Sequence, residues 1–207
     1  MKKRKLTMVA LAILTVLASC NNQPTEQTTE TQTTAASGTY TIDAAASTVK
    51  WKGVMLGVKE HFGTVNLTQG ILTVENGSVK EGSFTVDLNT ITPTDANYDE
   101  KSGYGKEKLV AHLSSPDFFD VANFPSATFV IENVNGAEAT GTLTVRGKSN
   151  TETVKNISVA EENGTVKATG TLTFDRKKYG VAFDMPMKDM VISNDIELTV
   201  ELNGTKN

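Results

Sequence analysis

The sequence predicts an all-β domain of eight to ten antiparallel strands, closed as a sandwich or a barrel. Two observations carry this. Apolar and polar residues alternate with period two from Thr39 onward, the mark of strands with one buried and one solvated face. Asn-Gly pairs then punctuate the runs, and Asn-Gly between alternating segments is a strong hairpin signal.

The strands follow in order. Ser83–Leu88 puts Phe84, Val86 and Leu88 on one face, and Ala127–Glu132 puts Phe129 with Ile131. Thr142–Arg146 pairs Leu143 with Val145, Thr171–Asp175 pairs Leu172 with Phe174, and Asp195–Leu202 aligns Ile196, Leu198, Val200 and Leu202. Turns are expected at Asn76-Gly77, Asn135-Gly136, Asn163-Gly164 and Asn203-Gly204. In Trp51–Val58, Gly and Met residues interrupt the alternation. A helical excursion is expected around residues 104–120. There Lys106–His112 can wind a turn or two, and Ser115-Pro116 offers an N-cap followed by Pro at the first helical position.

The first nineteen residues read differently. Lys2, Lys3, Arg4 and Lys5 precede an apolar run from Leu6 to Leu17, the pattern of a secretory signal. The run is shorter than the roughly 20 residues that a spanning helix needs. Leu17-Ala18-Ser19-Cys20 resembles the lipobox of bacterial lipoproteins, which implies cleavage before Cys20 and lipidation of its sulfur. Cys20 is the single cysteine, so no internal disulfide can form. Residues 21–37 are polar and lack bulky apolar side chains, so they are expected to form a flexible linker with ends about 20–25 Å apart, keeping the domain near a membrane. Three segments are therefore expected: residues 1–19 as signal peptide, 20–38 as lipidated Cys20 and linker, and 39–207 as one β-domain. Because the residue after Cys20 is Asn21 and not Asp, an outer-membrane position is favoured over the inner membrane in an exported, envelope-anchored protein.

The chain has 20 basic and 24 acidic residues, a net charge of −4. Without the four basic residues of the first nineteen it becomes −8, which argues against nucleic acid as a partner.

A set of ordered segments resembles the YceI family of secreted lipocalin-like proteins. It comprises Tyr40-Thr-Ile-Asp43, His61-Phe62-Gly63, Val86-Asp87, His112-Leu113 with Ser115–Asp120, Phe124–Phe129, Gly141–Gly147, Asp175-Arg176, Tyr179-Gly180 and Asp195–Leu198. The resemblance implies a single antiparallel lipocalin-like barrel of about eight strands around an elongated apolar cavity. It further implies binding of a long-chain isoprenoid lipid or an isoprenoid quinone. Alternation nominates Trp51, Phe62, Phe84, Val86, Phe129, Ile131, Leu143, Val145, Leu172, Phe174, Ile196 and Leu198 as wall residues, though a packed core would use the same residues. A homodimer is compatible with the sequence.

No nucleophile elbow, phosphate loop or dinucleotide motif is present, and no protein cofactor is expected. A metal-dependent enzyme would have to use His61 and His112, completed by Asp117 or Asp99. The simpler expectation is that His112 and Asp117 hydrogen-bond around the helical turn. Arg146 and Arg176 each follow an apolar strand and are expected to ion-pair at the barrel rim. A structural or stress-related surface barrel acting through its outer face is the remaining alternative.

Overall fold

In the computed structural model, which describes residues 35–56, 59–98, 101, 103, 105–184 and 191–207, nine strands form one antiparallel sheet that closes on itself. The signal-like segment, Cys20 and most of the linker lie outside the described residues. The strands are β1 (Gly38–Ile42), β2 (Thr48–Leu56), β3 (Lys59–Glu75), β4 (Ser78–Pro93), β5 (Ser126–Asn135), β6 (Glu138–Val145), β7 (Lys148–Glu162), β8 (Thr165–Asp175) and β9 (Val191–Lys206), with helix α1 (Lys106–Ser114) between β4 and β5. Around the barrel the order is β3, β2, β9, β8, β7, β6, β5, β4, and the pairing of β4 with β3 closes the ring. Among the described residues closure leaves no open sheet edge.

The ring has eight positions because β1 and β2 share one. β1 pairs with β3 at Gly38–Val74 through Thr41–Ile71 and with β9 at Tyr40–Lys206. β2 continues along the same two neighbours, at Val49–Val65 and Thr48–Glu201. Asp43 makes the break between them. Its Oδ1 accepts from the backbone N–H groups of Ala45 and Ala46 at 2.9 and 3.2 Å.

Two of the expected Asn-Gly turns form as two-residue hairpin loops with both residues left-handed: Asn76-Gly77 at φ 51° and 76°, and Asn163-Gly164 at 52° and 77°. This geometry matches the twist of the strands it joins. Asn135 ends β5 instead, and the loop is Gly136-Ala137. Asn203-Gly204 is not a turn. It lies inside β9, where Gly204 pairs with Ile42 and Val166. A Cβ on Gly204 would stand 2.9 Å from the Ile42 side chain and from the Thr41 carbonyl oxygen, so this glycine admits close approach of β1. A further tight turn, Arg146-Gly147 at φ 51° and 68°, carries no Asn-Gly signature.

The helical excursion is shorter than the sequence predicts. α1 ends at Ser114, and Ser115 caps its C-terminus, with its backbone N–H on the His112 carbonyl. Residues 116–119 form turns, not a second helix. The Ser115 hydroxyl also donates to that carbonyl at 2.8 Å, which ends the helix where an N-cap is expected to start one.

The two ends of the barrel differ. The end with the 76–77, 136–137 and 163–164 turns is sealed by Tyr40, Val74 and Val166, all fully buried, with Leu72 beside them. The other end carries the long connections, residues 94–125 and 176–190.

Candidate functional site

The barrel encloses a cavity of about 920 Å³, at the upper end of the size range of small-ligand sites. Directly opposed residues share a face in an antiparallel pair, so the register lays apolar side chains in rings around it. Trp51 stands opposite Leu198, Leu198 opposite Leu172, Leu172 opposite Val154, and Val154 opposite Ala139. On the other wall Phe84 faces Phe129, and Phe129 faces Leu143. The Trp51 indole Nε1–H donates to the Thr64 carbonyl at 3.1 Å, which satisfies its polar atom and fixes the ring.

Eleven of the twelve nominated wall residues line this cavity: Trp51, Phe84, Val86, Phe129, Ile131, Leu143, Val145, Leu172, Phe174, Ile196 and Leu198. Phe62 does not. Its side chain is 39% exposed, because Val65 and Leu67 set the inward parity of β3 and a residue an odd step away points outward. His61 takes the inward place. The interrupted alternation in β2 corresponds to a register shift between Gly53 and Met55.

The open end adds wall residues that alternation cannot reveal. α1 contributes Lys108, Leu109, His112 and Leu113, and the segments outside the strands contribute Phe118, Phe119, Tyr98 and Phe183. The i, i+4 spacing of Lys108–His112 and Leu109–Leu113 was the available sequence signal; what the stripe packs on was not readable. Met55 and Ile192 are paired and line the cavity. The next pair outward, Leu56 and Val191, is 52% and 54% exposed.

His61 is held by a buried carboxylate. Its Nδ1 lies 3.1 Å from Asp95 Oδ1, and the Asp95 side chain is fully buried. The same carboxylate accepts from the N–H groups of Asn97 and Phe62 and from the Tyr98 hydroxyl at 2.9, 3.2 and 2.8 Å. Burial alone would raise the Asp95 pKa, but these hydrogen bonds outweigh it and hold the carboxyl below its ordinary value. Burial, and then Asp95, push the Tyr98 phenol well up. The two rings stack at 5.4 Å and 20°.

His112 is set differently. Its ring packs edge-on against Phe118 and Phe183 at 4.9 and 4.6 Å. The expected bond to Asp117 does not form; Asp117 is exposed, and its N–H donates to the Ser115 hydroxyl. Among the described residues no group of three or more His, Cys, Asp or Glu side chains is placed to hold a metal ion. Asp99 lies outside the described residues.

The two arginines act chiefly on carbonyls, not as the expected rim ion pairs. Arg146 donates to the carbonyls of Phe118, Gly180 and Pro116 at 2.8, 2.8 and 2.7 Å. Arg176 is fully buried. It donates to the carbonyls of Val181, Phe183 and Ser193 at 2.7, 2.8 and 3.0 Å, with a longer contact of 3.4 Å to Asp184. Together they fasten the connections that frame the mouth, including the one that carries Phe183 into the cavity wall.

The family model of the YceI-like domain matches residues 40–204. A UPF0312 protein of Staphylococcus aureus (strain USA300) is 30% identical over 159 residues, covering 72% of this chain and 85% of its own length. A UPF0312 protein of Shewanella denitrificans is 28% identical over 179 residues, covering 81% of this chain and 87% of its own. Among solved structures, Burkholderia cenocepacia BcnA superposes with a TM-score of 0.61 at 22% identity, over 79% of this chain and 99% of its own. A polyisoprenoid binding domain from Saccharophagus degradans, implicated in plant cell wall breakdown, superposes with a TM-score of 0.56 at 13% identity, over 81% and 98%. At these identities the two structures speak for the fold.

Proposed function

Because this chain belongs to the family of YceI-like domains, we propose that it binds a long-chain isoprenoid lipid or isoprenoid quinone inside the barrel, as a carrier or reservoir and not as an enzyme. The observation that carries this reading is the cavity of about 920 Å³ with aromatic and aliphatic walls. A tail that leaves water for such walls gains about 0.8 kcal/mol per buried CH₂. The polyisoprenoid binding domain of the Saccharophagus protein has the same fold and supports the choice of ligand class. The exposed pair Leu56 and Val191 continues the apolar wall over the lip, a path by which a tail could enter.

The test is native mass spectrometry on protein made in its own host, followed by solvent extraction. A bound long-chain isoprenoid is the expected result. A ligand-free protein whose single tryptophan, Trp51, shows no fluorescence response to added geranylgeraniol would overturn the reading.

We also propose that the protein is an exported lipoprotein held at the cell envelope through Cys20, on the outer membrane in preference to the inner. The basic start, the apolar run and Leu17-Ala18-Ser19-Cys20 support this. Residues 35–37 lead into β1 at the closed end, where the Gly77 N–H donates to the Ala36 carbonyl at 2.7 Å. Cys20→Ala should move the protein from the membrane to the soluble fraction.

A further inference from the structure

The chain holds four Asn-Gly pairs, at residues 76–77, 135–136, 163–164 and 203–204. An asparagine followed by glycine is chemically fragile, because the glycine has no side chain to keep its main-chain nitrogen away from the asparagine side-chain carbonyl. The fold does not leave the four pairs equally free to react. The Gly77 N–H donates to the Ala36 carbonyl at 2.7 Å. The Gly164 N–H donates to Glu161 Oε1 at 2.9 Å, and a carboxylate at that place opposes loss of the amide proton that attack requires. Gly204 is buried inside β9 between Ile42 and Val166, and the Asn203 side-chain amide donates to the Ala46 carbonyl.

Asn135-Gly136 is the exception. Asn135 is the last residue of β5 and pairs with Glu138, and Gly136, at φ 60°, starts the two-residue loop to β6. Both residues are exposed. Among the described residues neither the Gly136 N–H nor the Asn135 side-chain amide makes a hydrogen bond. No atom lies within 4 Å of the place a Cβ on Gly136 would take. The other half of the loop is fastened, since the Ala137 carbonyl accepts from the Ile157 N–H at 2.9 Å. Here alone among the four pairs the nucleophilic nitrogen and the side-chain carbonyl both stand in solvent, with no hydrogen bond of either to break first.

We propose that Asn135 is a site of spontaneous deamidation in the folded protein. The Gly136 main-chain nitrogen bonds to Asn135 Cγ, the bond from Cγ to the side-chain nitrogen breaks, and that nitrogen leaves as ammonia with the proton from Gly136. Water then opens the cyclic imide at either of its carbonyls and gives aspartate or isoaspartate at position 135. Both products add a negative charge to a chain that is already acidic. Isoaspartate also routes the main chain through the side-chain carbon, which lengthens the end of β5 beside its pairing with Glu138. The change falls at the closed end of the barrel, away from the mouth.

The test is to age the full-length protein at mildly alkaline pH, digest it, and map the peptides by liquid chromatography and mass spectrometry, which separates aspartate from isoaspartate products. Conversion at Asn135 should run about fivefold or more ahead of Asn76 and Asn163, because each of those must first give up a hydrogen bond of its glycine. Asn203 should stay intact while the chain is folded, since its reaction requires β9 to open. A digest made before ageing removes the fold, and there the four pairs should convert at similar rates. Glu161→Ala, which frees the Gly164 N–H, should raise conversion at Asn163 toward that at Asn135. Asn135→Gln, whose longer side chain closes a larger ring far more slowly, should abolish the leading product. An Asn135 that converts no faster than Asn76 or Asn163 in the folded protein, or that stays intact while its digest peptide converts, overturns the proposal. So does the same ranking in the digest, which would mean that local sequence and not the fold sets the order.

Discussion

At one end of the barrel Tyr40, Val74 and Val166 have no accessible surface, and adjacent strands are joined by loops of two residues. At the other, long connections join β4 to β5 and β8 to β9, and two arginines bond the carbonyls of those connections. The closed end is held by short-range chemistry: left-handed turn residues and apolar packing. At the open end the long connections are held by long-range polar bonds from Arg146 and Arg176. The same barrel therefore spends its apolar residues on the seal and walls and its guanidinium groups on the rim.

The comparison breaks most readily at Arg176. Arg176→Ala leaves the carbonyls of Val181, Phe183 and Ser193 without their donor, and loss of one partner from a buried charged network costs about 3–5 kcal/mol. Urea unfolding should show a drop of that size in the extrapolated unfolding free energy, and a loss below about 1 kcal/mol would mean that the rim does not depend on its clamp. At the closed end, Gly77→Val puts a β-branched residue at φ 76°, which costs about 1–2 kcal/mol. The Cβ itself has room, 3.6 Å from the Ala35 side chain, so backbone strain is the whole effect. Thermal unfolding of this variant with unchanged ligand affinity would support the division of roles.

Acid should act on the open end through Asp95. Its folded-state pKa lies below the ordinary value of about 3.9, so its contribution is fully present above that value. It is lost as pH falls through the lower folded-state pKa. Stability measured from pH 7 downward should be flat in this respect until about pH 4 and then fall, and Asp95→Asn should lack that component of the fall. The smallest effect on stability is expected at the wall. Ala168→Trp adds bulk into open cavity space, so the overpacking cost of a filled core, about 1–3 kcal/mol, should not appear. The variant should remain folded by circular dichroism and lose its lipid in native mass spectrometry.

Most of the barrel was legible in the chain. Period-two alternation in β4, β5, β6, β8 and β9 specified both strand and inward face, because a strand's two faces are fixed by local geometry. Asn76-Gly77 and Asn163-Gly164 specified their hairpins for the same reason: the preference for positive φ belongs to those residues themselves. Errors arose where parity or turn propensity met a neighbour. Phe62 was hydrophobic but on the outward step of β3, and Asn203-Gly204 serves the approach of β1 instead of a turn.

The sequence by itself determined strands and their facing, including the shared inward face of Trp51, Phe84, Phe129, Leu172 and Ile196. Tertiary structure alone decided that the ring closes at β3 and β4, that β1 and β2 share one position, and that α1 and Phe183 roof a cavity. It also decided that His61 meets Asp95, 34 residues away, and that Arg176 reaches the carbonyls beyond its own strand. These contacts join segments whose separation along the chain carries no periodic signal. Only closure of the sheet brings them within reach, and the hydrogen bonds that hold them exist once that closure has excluded water.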